Sequence, residues 1–308
     1  MAAVPASRYG VTDTEHVFTL LNRWRRLGGF GLLAQSGALD QSSASHAAYL
    51  VRNQLLTDLT YLSTRVDGLL GAHRQDSTKP GFTGKTPTER AVAAGYAGTA
   101  SETTSIGVAN GIDCAASLEN SVYHLIELVA PALDVGIAFD PGDGKGGLCV
   151  LTLGVPSASL GQLPPAGSVA VYPHPLQIGV QPTFFNIGEV PNPAPDLAQA
   201  GRPVLVSLYT LANPTLDPAD VRVDAFTLTS ADGRVVPSRV IVRKGVATSG
   251  PTVVEDLAIP GAGYLVLLPT EALGKQVVYT VRVAATVKGR AVSFTWQFTT
   301  GDGGPIQP

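Results

Sequence analysis

After residue 203 the chain consists of short segments that alternate or run apolar, with turn signals between them. These segments are PVLVSLYT (203–210), VRVDAFTLTS (221–230), VVPSRVIVR (235–243), GYLVLLP (263–269), VVYTVRVAAT (277–286) and AVSFTWQFTT (291–300). The sequences ADGR and KGR are typical of tight turns and separate two pairs of segments. Six short strands at this spacing predict an antiparallel β-sandwich over residues 203–303, of immunoglobulin or fibronectin type III kind. A polar tail is predicted over 304–308.

Residues 1–155 instead mix helical and strand patterns. An apolar stripe predicts a helix from Thr12 to Leu27, capped by Thr12 and stopped by the glycines at 28 and 29. A second helical region is predicted over 39–62. The sequence TPTE at 86–89 is a helix start with proline at the first position.

Three further elements are predicted before residue 155. A helix is expected over 111–119, with His124 in a turn or short helix after it. Segments 134–139 and 148–153 predict a β-hairpin around the loop DPGDGKGG, in which Asp140 and Asp143 are better explained by turn chemistry than by calcium binding. Residues 156–202, rich in proline and glycine, are predicted to be a linker that includes the first strand of the second domain.

Composition excludes some classes of function. Charged residues make up 15% of the chain, the net charge is -3 and no basic stripe occurs, which argues against nucleic-acid partners. No apolar run of about 18 residues is present, so no transmembrane helix is predicted. Cys114 and Cys149 permit one disulfide, which would suit an oxidising compartment; two buried free thiols are the alternative.

Residues 14–154 resemble the secreted bacterial proteins of the CAP superfamily, also called SCP-like domains. The resemblance is carried in order by LNRWRRLGGFGLL, ASHAAYLVRNQ, AHRQDSTKPGFTG, RAVAAGY, SETTSIG, SVYHLIELVAP and DVGIAF. It implies an α+β chain: an α/β/α sandwich CAP domain over 1–155, followed by the Ig-like sandwich. It also implies secretion to the periplasm, cell surface or medium, with the export signal absent from this chain, because MAAVPASRYG has no signal-peptide pattern.

The resemblance also implies a cleft lined by two histidines and two acidic residues. By position His73 and His124 are the histidine pair and Glu102 is the first carboxylate, whereas Asp113 and Glu119 are candidates for the second. His46 shares a helix face that could point to the same cleft, or could be a hydrogen-bonded core residue. The sequence departs from the family pattern at Gln75, Thr103 and Leu125, where relatives have Glu, Asn and Arg.

The sequence allows two interpretations of this cleft. His73, His124 and Glu102 could bind a divalent metal such as zinc, or they could hydrogen-bond one another and hold the loops of the cleft together. Three functions follow: a non-enzymatic extracellular module that binds a lipid, glycan or protein; a metal-dependent hydrolase; and a self-assembling, homo-oligomeric subunit of a surface layer or filament.

Overall fold

The computed structural model describes residues 3–142, 146–159 and 161–303. The described chain contains both helices and sheets, in agreement with the α+β prediction. The predicted tail at 304–308 and the loop residue Asp143 lie outside the described residues. Asp140, in contrast, accepts a hydrogen bond from the backbone N–H of Gly142 at 2.8 Å, which is the turn role predicted for it.

The helices all belong to the first half of the chain, within the described residues. They are α1 (Asp13–Gly28), α2 (Gly37–Arg52), α3 (Leu59–Ser63), α4 (Pro87–Ala93), α5 (Gly111–Glu119) and α6 (Tyr123–Leu128). Single 3₁₀ turns lie at Gly71–His73, Asn186–Gly188 and Pro218–Asp220. None of these described helices is long and apolar enough to cross a bilayer.

The strands before residue 203 are β1 (Ala34–Gln35), β2 (Arg65–Val66), β3 (Leu69–Leu70), β4 (Gly98–Val108), β5 (Asp134–Asp140), β6 (Gly147–Pro156), β7 (Ala170–Tyr172), β8 (Gln177–Val180), β9 (Thr183–Phe184) and β10 (Ala200–Gly201). Those after it are β11 (Val204–Ser207), β12 (Val221–Ser230), β13 (Ser238–Arg243), β14 (Ala247–Thr248), β15 (Val253–Asp256), β16 (Tyr264–Pro269), β17 (Val278–Val287) and β18 (Arg290–Thr300). All six predicted C-terminal strands are present.

The helix starts follow from local capping chemistry. The Thr12 hydroxyl accepts from the Glu15 N–H and caps α1, and Gly29 ends that helix with a left-handed φ of 88°. Thr86 and Glu89 form a reciprocal capping box at α4. The prediction of one helical region over 39–62 is wrong in length: α2 ends at Arg52 because the chain turns away at Gln54, whose φ is 55°, and α3 begins separately.

A four-stranded sheet in the order β1-β5-β6-β4 organises the first half. Alternate side chains of β6 face opposite ways: Cys149 and Leu151 pack in the cluster of α1 and α5, whereas Leu148 and Val150 pack with α2. Helices therefore cover both faces of this sheet. Gly136 on β5 permits the close approach of α2, since a Cβ there would lie 2.0 Å from the Leu39 carbonyl carbon.

A disulfide joins helix α5 to the central strand of this sheet. Cys114 and Cys149 are bonded, with their Cα atoms 6.1 Å apart and a sequence separation of 35. Of the two alternatives that the sequence left open, the structure therefore has the disulfide and not the two free thiols. In the chain-entropy account, closing a loop of this length stabilises the fold by about 4 kcal/mol.

Two five-stranded sheets form the second half. Their orders are β15-β13-β16-β11-β7 and β14-β12-β17-β18-β8, and residues of both sheets fill one apolar core. Strands β7 and β8 lie within the predicted linker and contribute one edge strand to each sheet. The sandwich therefore begins near residue 170, inside the segment 156–202 that was predicted to include the first strand of the second domain.

The sheet that contains β11 and β16 is buried on both faces. Leu265 and Leu267 of β16 face the sandwich core, whereas Val266 and Leu268 join a second cluster with Trp24 of α1 and other side chains of α1, α5 and α6. This explains why YLVLLP is a continuous apolar run, while β12 and β17 alternate. The two halves share a hydrophobic core instead of being joined only by a linker.

Candidate functional site

Glu102 lies at the centre of a buried polar cluster. It is on β4, the edge strand of the first sheet, and its side chain is 0% exposed. One carboxylate oxygen accepts from Arg90 Nη2 at 2.7 Å. The other lies 3.2 Å from His73 Nδ1 and 3.4 Å from His46 Nε2. Both oxygens of Glu102 are thus engaged by cationic or polar partners.

Arg90 and His46 also fix the loop that carries His73. Arg90, on α4, donates to the backbone carbonyl of His73 at 3.2 Å. His46 Nε2 lies 2.9 Å from the carbonyl oxygen of Ala72, and its Nδ1 lies 3.3 Å from the Gln75 amide. Of the two alternatives for His46, the structure shows the hydrogen-bonded core residue: it is fully buried and contacts Glu102 from within the core.

The electrostatics of the cluster fix its ionisation. Burial alone would raise the pKa of Glu102, but the charge of Arg90, with His46 and His73, outweighs it and lowers that pKa to about 2. Burial lowers the pKa of His46 to about 4, against the opposing pull of Glu102. At neutral pH the cluster consists of an ionised Glu102 paired with Arg90 and a neutral His46.

The cluster borders a cavity of about 660 Å³ between the free edge of β4, the β2–β3 segment and the sandwich; we call it the β4 cleft. A volume of this size is typical of small-ligand pockets. Its polar lining includes His73, Ser101, Glu102, Thr103, His124 and Glu127, and its apolar lining includes Leu69, Leu70, Ile126, Val190, Pro191, Leu257, Ala258 and Pro260.

His124 lines the same cleft as His73 but has a different partner. Its Nδ1 lies 3.2 Å from Oε1 of Glu189, whose buried carboxylate also accepts from the backbone N–H groups of Val122 and Tyr123. Glu189 thereby satisfies the start of α6 and fixes His124. The two predicted histidines share the cleft, but each is held by its own carboxylate.

Glu127 is a cleft residue that the sequence reasoning missed. It lies three residues after His124 on α6, and its carboxylate accepts from the Ser101 hydroxyl. Burial raises the pKa of Glu127, and Ser101 and the two cleft histidines partly oppose this. The spacing of i and i+3 in HLIE was a usable signal, because such residues share one face of a helix. Glu189, 65 residues beyond His124, gave no such signal.

The two acidic residues considered for the fourth position lie elsewhere. Asp113 is in the first turn of α5, where its N–H donates to Asn110. The Glu119 carboxylate pairs with the buried Arg202 of the second half. Neither residue lines the β4 cleft.

The structure does not gather the predicted metal ligands. Glu102 is held by Arg90 and His73, and His124 by Glu189, so these three side chains do not converge on one point. Within residues 3–142, 146–159 and 161–303, no group of three or more His, Cys, Asp or Glu side chains is arranged to hold a metal ion. The predicted zinc ligand set of His73, His124 and Glu102 is therefore corrected to two separate His–Glu pairs.

Comparison of the chain with models of known protein families finds no match, and comparison with curated proteins also finds none.

Proposed function

We propose that the protein is a non-enzymatic binding module that takes a small, largely uncharged ligand in the β4 cleft. The observation that carries this proposal is the state of Glu102. A catalytic base or metal ligand must be within reach of a substrate or metal ion, yet the Glu102 side chain is fully buried, with one oxygen paired with Arg90 and the other beside His46 and His73. The cluster therefore acts as a support for the cleft wall.

The proposal places this module in a secreted CAP-like domain joined to an Ig-like domain. Three features support it: helices on both faces of the first sheet, the two-sheet sandwich after it, and the disulfide, which is usual in exported proteins. The cleft combines apolar side chains with a few polar groups, which suits a glycan, a lipid or a peptide.

The test is to block the cleft and measure binding. Ala258 lines the cleft, so Ala258→Trp would fill part of it, whereas Ala247→Trp places the same ring at an exposed site on β14. The probes are dodecanoate, tri-N-acetylglucosamine and a pool of uncharged hexapeptides, measured by native mass spectrometry. We expect at least one probe to bind the wild type and Ala247→Trp at least tenfold more tightly than Ala258→Trp. Binding of no probe, or equal binding to all three proteins, contradicts the proposal.

A hydrolase is the second candidate, and one observation favours it. His73 is oriented by the buried Glu102, while its side chain is 18% exposed at the cleft. A carboxylate that orients a histidine beside a cleft is the arrangement of a general base. Hydrolysis of p-nitrophenyl acetate, measured for the wild type, for His73→Ala and for His174→Ala as a control outside the cleft, tests this candidate. Activity lost only in His73→Ala would support it.

A further inference from the structure

On the side of β4 that faces the cleft, the main-chain groups of Glu102 have no partner among the residues that the structure describes, whereas those of Ala100 are bonded to Thr88. Glu102 and Ala100 have the same orientation relative to β6, since they are two residues apart in one antiparallel ladder. The N–H and C=O of Ala100 are both bonded to the hydroxyl of Thr88, at 3.0 and 2.9 Å, so they point away from β6. The N–H and C=O of Glu102 therefore also point away from β6.

The exposed part of Glu102 is its main chain. The residue as a whole is 8% exposed, whereas its side chain is 0% exposed. Because Glu102 lines the cleft, it presents peptide groups and not its carboxylate to a ligand. No backbone partner for these groups is found among the described residues. An unpaired strand edge of this kind is a template for another strand.

A second group beside Glu102 also lacks a partner. Thr103 lines the cleft and is 1% exposed, and its hydroxyl makes no hydrogen bond within the described part of the chain. A buried hydroxyl without a partner is destabilising. Such a group is satisfied when a ligand supplies the missing donor or acceptor.

The length and charge of the cleft wall define the ligand further. Ala100 to Thr103 line the cleft consecutively and, at about 3.4 Å per residue, span roughly 10 Å, the length of three to four extended residues. The charge of Glu102 is balanced by Arg90 within the wall. Away from β4 the cleft is lined by apolar side chains, Leu69, Val190 and Leu257 among them, together with Arg65, His124 and Glu127.

We propose that the β4 cleft takes an extended, uncharged peptide segment that adds as a strand to the free edge of β4. The peptide exchanges main-chain hydrogen bonds with the N–H and C=O of Glu102, and one of its polar groups satisfies the Thr103 hydroxyl. Its apolar side chains pack on the apolar side chains that line the cleft away from β4. This inference rests on the proposed binding function and specifies its ligand class.

The test begins with a random hexapeptide library displayed on phage and selected on the full chain. The selected peptide is then resynthesised with a single N-methyl group at each position in turn. We expect one position at which N-methylation weakens binding at least tenfold, because the main-chain donor to the Glu102 carbonyl is lost. We also expect the Glu102 amide to exchange with solvent at least tenfold more slowly in the complex.

A matched substitution probes the second contact. Thr103→Val keeps the shape of the side chain and removes the hydroxyl. We expect it to weaken peptide binding about five- to tenfold while leaving the free protein folded and at least as stable. A purely structural role for Thr103 would change stability and leave the affinity for the peptide unaltered.

The outcomes separate this inference from the proposed function. Selection of no peptide, or of peptides that tolerate N-methylation at every position and leave Glu102 unprotected, overturns strand addition. If dodecanoate or the trisaccharide then binds in a way that Ala258→Trp abolishes, the binding module stands with another ligand class. If nothing binds, both proposals fail.

Discussion

Removing the charge of Glu102 should weaken the fold strongly at neutral pH. In Glu102→Gln the side chain keeps its size, but Arg90 is left buried without a counter-ion. Breaking one partner of a buried pair costs about 3–5 kcal/mol. The pKa of Glu102 gives a second figure for this loss of stability. The pKa falls from an ordinary value of 4.5 to about 2 in the folded protein. At about 1.36 kcal/mol per pKa unit, this difference corresponds to roughly 3 kcal/mol of folding free energy.

The lowered pKa also predicts how the stabilisation by Glu102 changes with pH. The folded pKa of Glu102 is depressed, so its stabilisation is fully present above about pH 4.5 and is lost as pH falls toward 2. By the same linkage, less than half of it should remain at pH 3. We therefore expect the difference between wild type and Glu102→Gln to shrink steadily between pH 4.5 and pH 3.

Urea unfolding followed by tryptophan fluorescence measures this difference. Trp24 reports on the first half of the chain and Trp296 on the sandwich. The control is Glu271→Gln, which removes an exposed ion pair with Arg234 and should leave the unfolding free energy unchanged within error. The reasoning would be refuted by a loss below about 1 kcal/mol at pH 7, or by a difference that does not shrink in acid.

Three further predictions concern the rest of the fold. Replacing Cys114 and Cys149 together by alanine should lower the unfolding free energy by about 4 kcal/mol, and dithiothreitol should lower the melting temperature of the wild type but not of this variant. Gly136→Ala should cost about 3 kcal/mol in urea unfolding, because the new Cβ meets the α2 backbone; an unchanged midpoint would count against this packing. The pKa of His46 is depressed to about 4, so stability should fall as pH is lowered from 6.5 to 4, and His46→Gln should flatten that part of the pH profile. A profile identical to the wild type would contradict the assignment.

Helix starts and C-terminal strands were predictable because their signals are local. Thr12 and Thr86 act on N–H groups three residues away, and the apolar alternation of β12 and β17 reports directly on one buried face. Strand β4 was not predicted, because SETTSIG is polar and yet buried. Its serines Ser101 and Ser105 donate to partners further along the chain, Glu127 and Ser117.

The candidate site was predictable only in part. His73 and Glu102 do meet, and His124 lies in the same cleft. Arg90, which fixes the charge state of Glu102, directly follows the predicted helix start at 86–89 and was not predicted to belong to the site. Its pairing depends on how α4 packs against β4, which no short-range pattern encodes.

The doubly buried sheet limits how this chain can be divided. A gene fragment that ended at residue 156 would leave Trp24 and the outer faces of α1 and α6 without Val266, Leu268 and their neighbours. Such a fragment would aggregate, since it exposes a large apolar surface. Recombination could not move either half alone into another protein. The two halves are therefore expected to be inherited, expressed and unfolded together.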